Sequence, residues 1–197
     1  MQQFKSKDYV TILLVITNIA VYIFCTIQGN VLYNMGSLSV VDIINRQEYY
    51  RILTSLFLHA NPQHIWGNMI FLAALGDMLE RSIGHGRFFA IYMLAGIGGN
   101  LLSMGHELAT GQFCSTIGAS GAVFGLIGAL LLLICKNNGT YVQISQRRVI
   151  FGIVSLFYSG TQSETTNNMA HLGGFITGFA VMAVFYCITR RRYKRIR

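Results

Sequence analysis

Apolar stretches of the length of a membrane-crossing helix recur along this chain, divided by short polar or charged clusters. A helix needs ~20 apolar residues to cross the hydrocarbon core of a bilayer. Breaks at the charges give predicted spans at about 9–27, 64–79, 87–104, 119–135, 149–158 and 169–188. The second ends at Glu80-Arg81, the fifth is short and weak, and a long loop at 28–63 follows the first. Six spans and their loops leave no room for a second domain. The predicted fold is therefore all-α, a polytopic membrane helix bundle forming one domain over 1–197, with short basic termini at 1–8 and 189–197.

Composition supports this reading. Only 11% of the residues are charged against 53% hydrophobic, whereas soluble domains carry roughly a quarter charged residues. Disordered chains are poor in hydrophobic residues, so disorder is excluded as well. The net charge of +8 does not point to nucleic acid, because six of the fifteen Lys and Arg residues crowd the tail after 189. A basic cluster directly after an apolar run anchors a helix against a cytoplasmic leaflet. Lys5, Lys7, Arg81, Arg87, Lys136, Arg147, Arg148 and the tail fall on one side of a six-span topology, and only Arg46 and Arg51 on the other. The positive-inside rule then predicts that both termini are cytoplasmic. Lys5 and Lys7 precede the first span as in a signal peptide, but no small-residue cleavage site follows, so it reads as a retained anchor. Cys25, Cys135 and Cys187 fall in or at the inner end of spans, and Cys114 stands alone outside, so no structural disulfide is expected.

Polar side chains inside spans are costly in hydrocarbon, and each is a functional candidate. His64, Asn68, Ser120 and His171 open spans 2, 4 and 6, all of which start from the outer side, so the four share one shallow depth. Ser120 lies in Gly118-Ala119-Ser120-Gly121 at a helix start, where unpaired N–H groups favour negative charge. Such a serine has donors at hand for the oxyanion formed when its oxygen attacks a carbonyl. The same small residues also suit close helix packing, and Gly121 and Gly125 in span 4 match Gly174 and Gly178 in span 6 as GxxxG pairs. Packing on those faces would bring Ser120 to His171, the pairing an activated serine requires.

His64 and Asn68, four residues apart, share a helix face and are either oxyanion donors or interhelical hydrogen-bonding groups. His59 orders a loop in this reading, and His85 and His106 are span-end residues. Trp66, Tyr33, Tyr49 and Tyr50 suit an interfacial aromatic belt. Glu164 lies in a loop and Asp77 and Glu80 at the far end of span 2, so no acid completes a triad. The constellation is a Ser–His dyad with helper donors and no cofactor. A transporter lined by the polar residues would need them to continue across the membrane, yet the inner halves of spans 4 and 6 are apolar. A His59/His64/His171 metal site is a third, weaker alternative.

The Gly-x-Ser-Gly of span 4, the Ala-His-x-x-Gly of span 6 and the His64-x-x-x-Asn68 of span 2 resemble the rhomboid intramembrane serine proteases. Asn18 and the Gly76-x-x-x-Glu80-x-x-x-Gly84 run extend the likeness over most of the chain. The resemblance implies Ser120 as nucleophile and His171 as general base and then acid. It implies His64, Asn68 and the backbone of Ser120 and Gly121 as oxyanion hole, within a six-helix core. It also implies cleavage of transmembrane protein substrates near the outer face, lateral substrate access near span 5, and residence in a bacterial plasma membrane as the minimal form. Two departures stand out: Tyr50-Arg51 replaces the Trp-Arg of many members, and Phe124 replaces a tyrosine that packs on the base. A non-catalytic relative that binds and escorts transmembrane segments is the alternative, although such relatives usually lose the serine or histidine that this chain keeps.

Overall fold

The structure, a computed structural model, describes residues 8–29, 31–137 and 167–195. Its long helices are α1 (Tyr9–Gln28), α5 (Pro62–Ile83), α6 (His85–Thr110), α7 (Ser120–Asn137) and α8 (Asn168–Arg195). Between α1 and α5 come the short α2 (Val31–Gly36), α3 (Val40–Arg46) and α4 (Arg51–Thr54), the last running into a 3-10 turn at Ser55–Phe57. Predicted span 5, Arg147, Arg148, Glu164, Lys5 and Lys7 lie outside the described residues.

Among the described residues, three helical segments are long and apolar enough to cross a membrane: Tyr9–Gln28, His85–Thr110 and Asn168–Thr189. Ser120–Lys136 is a shorter apolar helix. The short helix is also the centre of the bundle, since every residue from 121 to 130 is buried. Its glycines and alanines have little bulk, so α5, α6 and α8 can all close on it. Gly174 faces the backbone of Gly121 and Gly178 that of Gly125, so closely that any Cβ there would overlap the opposing main chain. The α7–α8 contact is thus backbone against backbone. By contrast α1 packs chiefly on α5 and leaves Leu13, Ile16, Ile23, Phe24 and Ile27 exposed, as a helix facing lipid would.

Several helices outrun the predicted spans, and at the end of span 2 a buried carboxylate accompanies the extension. Span 2 was expected to stop at Glu80, yet α5 continues to Ile83. Glu80 is fully buried and caps the start of α1 from the neighbouring helix, accepting from Val10 N (2.9 Å), Thr11 N (2.8 Å) and Thr11 Oγ1 (2.6 Å). His85 Nδ1 also contacts Glu80, and Arg81 bridges Asp77 and Asp8. This arrangement replaces the missing side-chain cap at Asp8 and fixes α1 to α5.

The segment 31–61 is folded, where the sequence suggested only a long loop at 28–63. Arg51 lies almost fully buried at its centre, donating to Asn34 O (2.8 Å) and Ser37 O (3.0 Å) and pairing with Glu48 (2.6 Å). One guanidinium therefore gathers three turns that are too short to hold alone. Tyr50 stays half exposed, with the guanidinium carbon 5.9 Å from its ring centroid. Asn100 of α6 then fastens this segment to the bundle, donating to Ile52 O (2.8 Å) and Ser55 Oγ (2.9 Å). Half-buried Tyr33 donates its hydroxyl to His59 O (2.8 Å).

Candidate active site

Ser120 is the first residue of α7, and its backbone N–H, with those of Gly121 and Ala122, precedes the first helical bond, Val123 N to Ala119 O (3.0 Å). Three aligned donors are thereby left for a ligand. The approach to this helix is fixed by an antiparallel bridge between Leu38 and Thr116 and by Gly118 N donating to Ser55 O (2.9 Å). Gly118 adopts φ 131°, a conformation L side chains rarely take. A Cβ on it would stand 2.7 Å from His64 Nε2 and 3.8 Å from Ser120 Oγ. The missing side chain leaves a small space bordered by both groups.

His171 lies in the first turn of α8, buried, with Nε2 2.9 Å from Ser120 Oγ. The contact between Gly121 and Gly174 sets this distance, because it locks the two helices in register one turn below. Phe124, on the next turn of α7 from Ser120, stacks on the imidazole with ring centroids 4.2 Å apart and planes 14° from parallel. Gly125 and Gly178 carry the same backbone contact one turn further on. His171 Nδ1 is buried and has no hydrogen-bond partner among the described residues, so none of the acids among them orients the ring.

His64 sits in the first turn of α5, whose start is capped by Asn61 Oδ1 accepting from His64 N (2.8 Å) and followed by Pro62. Its Nδ1 accepts a long 3.5 Å contact from Ala60 N, which leaves Nε2 to carry the proton toward the space beside Ser120. Asn68 is buried one turn on, but its Nδ2 donates to His64 O (3.0 Å) within its own helix. Facing a ligand would require its second N–H or a turn of the amide. His59 packs edge-on against His64, centroids 5.1 Å apart, with neither nitrogen hydrogen-bonded among the described residues. Burial and, less strongly, the His64 ring push its pKa down to about 4, and the Phe57 carbonyl, which falls short of full hydrogen-bond geometry, offsets part of this. Among the described residues no group of His, Cys, Asp and Glu is arranged to hold a metal ion.

One set of residues beside this site escaped the sequence reading. Asn167, immediately before α8, caps it by accepting from Ala170 N (3.0 Å), and donates to Ser103 Oγ (2.6 Å) and Thr116 Oγ1 (2.7 Å). Ser103 donates in turn to Glu107 (3.1 Å), which also accepts from Cys114 N (3.3 Å). The capping asparagine three residues before Ala170 was the available sequence signal. Nothing in the pattern revealed its cross-links to α6 and to the segment before α7.

The family model described as the rhomboid domain matches residues 46–187. The chain is 35% identical to RHOMBOID-like protein 1 of Arabidopsis thaliana over 78% of its length and 39% of that protein. It is 34% identical to Rhomboid protease GluP of Bacillus subtilis over 72% of its length and 27% of that protein. The figures for Rhomboid-like protease 1 of Toxoplasma gondii are 34%, 78% and 52%. The chain thus matches about a quarter to a half of these relatives' length. On the match across residues 46–187, this chain belongs to the rhomboid family of integral membrane proteins.

Proposed function

We propose that the protein is an intramembrane serine endopeptidase that cuts transmembrane segments of protein substrates with a Ser120–His171 dyad. The observation that carries this reading is the 2.9 Å contact between Ser120 Oγ and His171 Nε2 at the N-terminus of α7. In this mechanism Nε2 accepts the Ser120 proton as Oγ attacks the scissile carbonyl carbon. The carbonyl oxygen becomes an oxyanion facing the N–H groups of Ser120 and Gly121 and the Nε2–H of His64, with Asn68 as a further donor. The imidazolium lies on the Phe124 ring face, which stabilises a cation. His171 then protonates the leaving amine, the C–N bond breaks, and an acyl ester remains on Ser120. Water, deprotonated by His171, attacks that ester and releases the acid.

A substrate peptide bond in a regular helix is hydrogen-bonded and shielded. The substrate therefore unwinds locally, most readily where small or helix-breaking residues stand near the cut. The six-span topology, cytoplasmic termini, single domain and cut near the outer face complete the proposal, and the charge distribution supports them. A shallow site also admits the water that deacylation consumes. Rhomboid relatives bearing the name protease support the reaction class.

The test is cleavage of a model single-span substrate by the reconstituted protein and its Ser120→Ala variant. The variant should retain the thermal unfolding midpoint and lose cleavage by at least about 10³-fold. Full-rate cleavage by the variant would remove Ser120 from the nucleophile's role. Absence of cleavage by the unaltered protein, with substrate retained on it, would favour a binder of transmembrane segments.

A further inference from the structure

The hydrogen bonds around Asn167 have a direction, and that direction ends at His171. Glu107 and Ser103 are both buried. A carboxylate can only accept, so it draws the Ser103 hydroxyl proton to itself (3.1 Å). The Ser103 oxygen is then left as an acceptor for Asn167 Nδ2 at 2.6 Å, and Thr116 Oγ1 accepts from the same nitrogen at 2.7 Å. With its nitrogen so committed, the amide must present Oδ1 to Ala170 N (3.0 Å). The reverse orientation would set N–H against N–H at Ala170. The Asn167 carbonyl meanwhile accepts from His171 N (3.2 Å). Thr116 is pinned by backbone bonds to Leu38 and lies four residues before Ser120. One amide side chain therefore joins α6, the approach to the serine and the first turn of the helix carrying the histidine.

We propose that Asn167 is a positioning residue that holds His171 in register with Ser120, and that Glu107 sets the orientation of its amide through Ser103. The inference rests on the dyad reading above. A misplacement of about 1 Å between reacting groups costs on the order of 10²-fold in rate, so a cap shared by both dyad helices has kinetic weight.

Asn167→Asp keeps the capping oxygen and removes the donor. Two carboxylates then compete for the single Ser103 proton, and the cap is pulled toward the wrong partner. Glu107→Gln removes that competition: Ser103 can donate to Asp at 167 while the Gln amide donates to Ser103, reversing the circuit without breaking it. The full-length protein in lipid vesicles is treated with a fluorophosphonate reagent, which forms an Oγ–P bond at Ser120 with loss of fluoride and transfer of the hydroxyl proton to His171. Labelling rates are referred to the total reactive serine, so loss of folded protein does not enter.

Asn167→Asp should label about ten- to a hundredfold more slowly than the unaltered protein. Glu107→Gln alone lets the circuit run in either direction and should slow labelling by about three- to tenfold, and the double variant should recover to within about threefold of the unaltered rate. A Glu107→Gln rate equal to the unaltered one would remove Glu107 from the orienting role. With the model single-span substrate and rates referred to labelled serine, Asn167→Asp should lower kcat with KM unchanged, which neither a role in substrate binding nor a loss of folded protein would do. Unaltered labelling in Asn167→Asp, or a double variant as slow as the single, would overturn the positioning role. If the unaltered protein neither labels nor cleaves, the dyad reading itself fails and takes this inference with it.

Discussion

At the Glu80 end of the bundle, a carboxylate with no exposed surface accepts from two backbone amides and a hydroxyl of α1, and His85 contacts it as well. Its neighbours Arg81, Asp77 and Asp8 are likewise paired. At the Ser120 end, His171 Nδ1 and both nitrogens of His59 are buried without a partner among the described residues. Leaving a buried polar group unsatisfied costs about 1–3 kcal/mol, so the second arrangement is a standing loss of stability. The contrast separates polar groups that hold helices together from polar groups kept available for a substrate. Substitutions at the two ends should accordingly move different observables.

The largest effect is expected at the base. His171→Ala should reduce cleavage by at least about 10³-fold while stability falls less than in Glu80→Ala, because removal of an unpaired buried nitrogen offsets part of the lost stacking on Phe124. A large drop in stability would show that the histidine belongs with the structural groups. Next comes Gly118→Ala, whose methyl would be strained at φ 131° and would press on His64 Nε2 from 2.7 Å. Displacing the imidazole should lower kcat by about 10²-fold, measured with the same model substrate. Glu80→Ala should do the reverse. It strips four contacts from the junction of α1 and α5 and should cost about 2–4 kcal/mol of stability. Cleavage per folded molecule at low temperature should remain close to that of the unaltered protein. A catalytic defect there would break the division between the two ends.

The same division explains what the sequence could reveal. The spans at 9–27 and 169–188 lie within α1 (Tyr9–Gln28) and α8 (Asn168–Arg195), because apolar length alone specifies a helix facing lipid. Ser120, His171 and His64 stood out because polar groups at helix starts are conspicuous in an apolar chain. The boundary failed at Glu80, where the charge read as an end and its partners on α1 made it an interior residue. The folded segment 31–61 was hidden for a related reason. Its helices are four to seven residues long, and their stability comes from Arg51, whose carbonyl partners Asn34 and Ser37 are remote in sequence.

His59 gives the smallest and most direct measure of what the unsatisfied end loses. Its pKa in the folded chain is lowered to about 4, chiefly by burial, with the His64 ring 5.1 Å away adding to the effect. The unfolded chain binds a proton near the ordinary histidine value of about 6.5. Above that value neither state is protonated and His59 leaves stability independent of pH. As pH falls from about 6.5 toward about 4 the unfolded chain gains a proton that the folded one refuses, so stability declines; below about 4 both are protonated and the decline from this residue stops. His59→Leu removes that contribution and both unpaired nitrogens. Unfolding midpoints taken at about pH 7.5 and about pH 5 should therefore fall less in the variant than in the unaltered protein. Equal declines would mean that His59 finds a partner in the folded protein, and that the Ser120 end is better satisfied than the comparison with Glu80 requires.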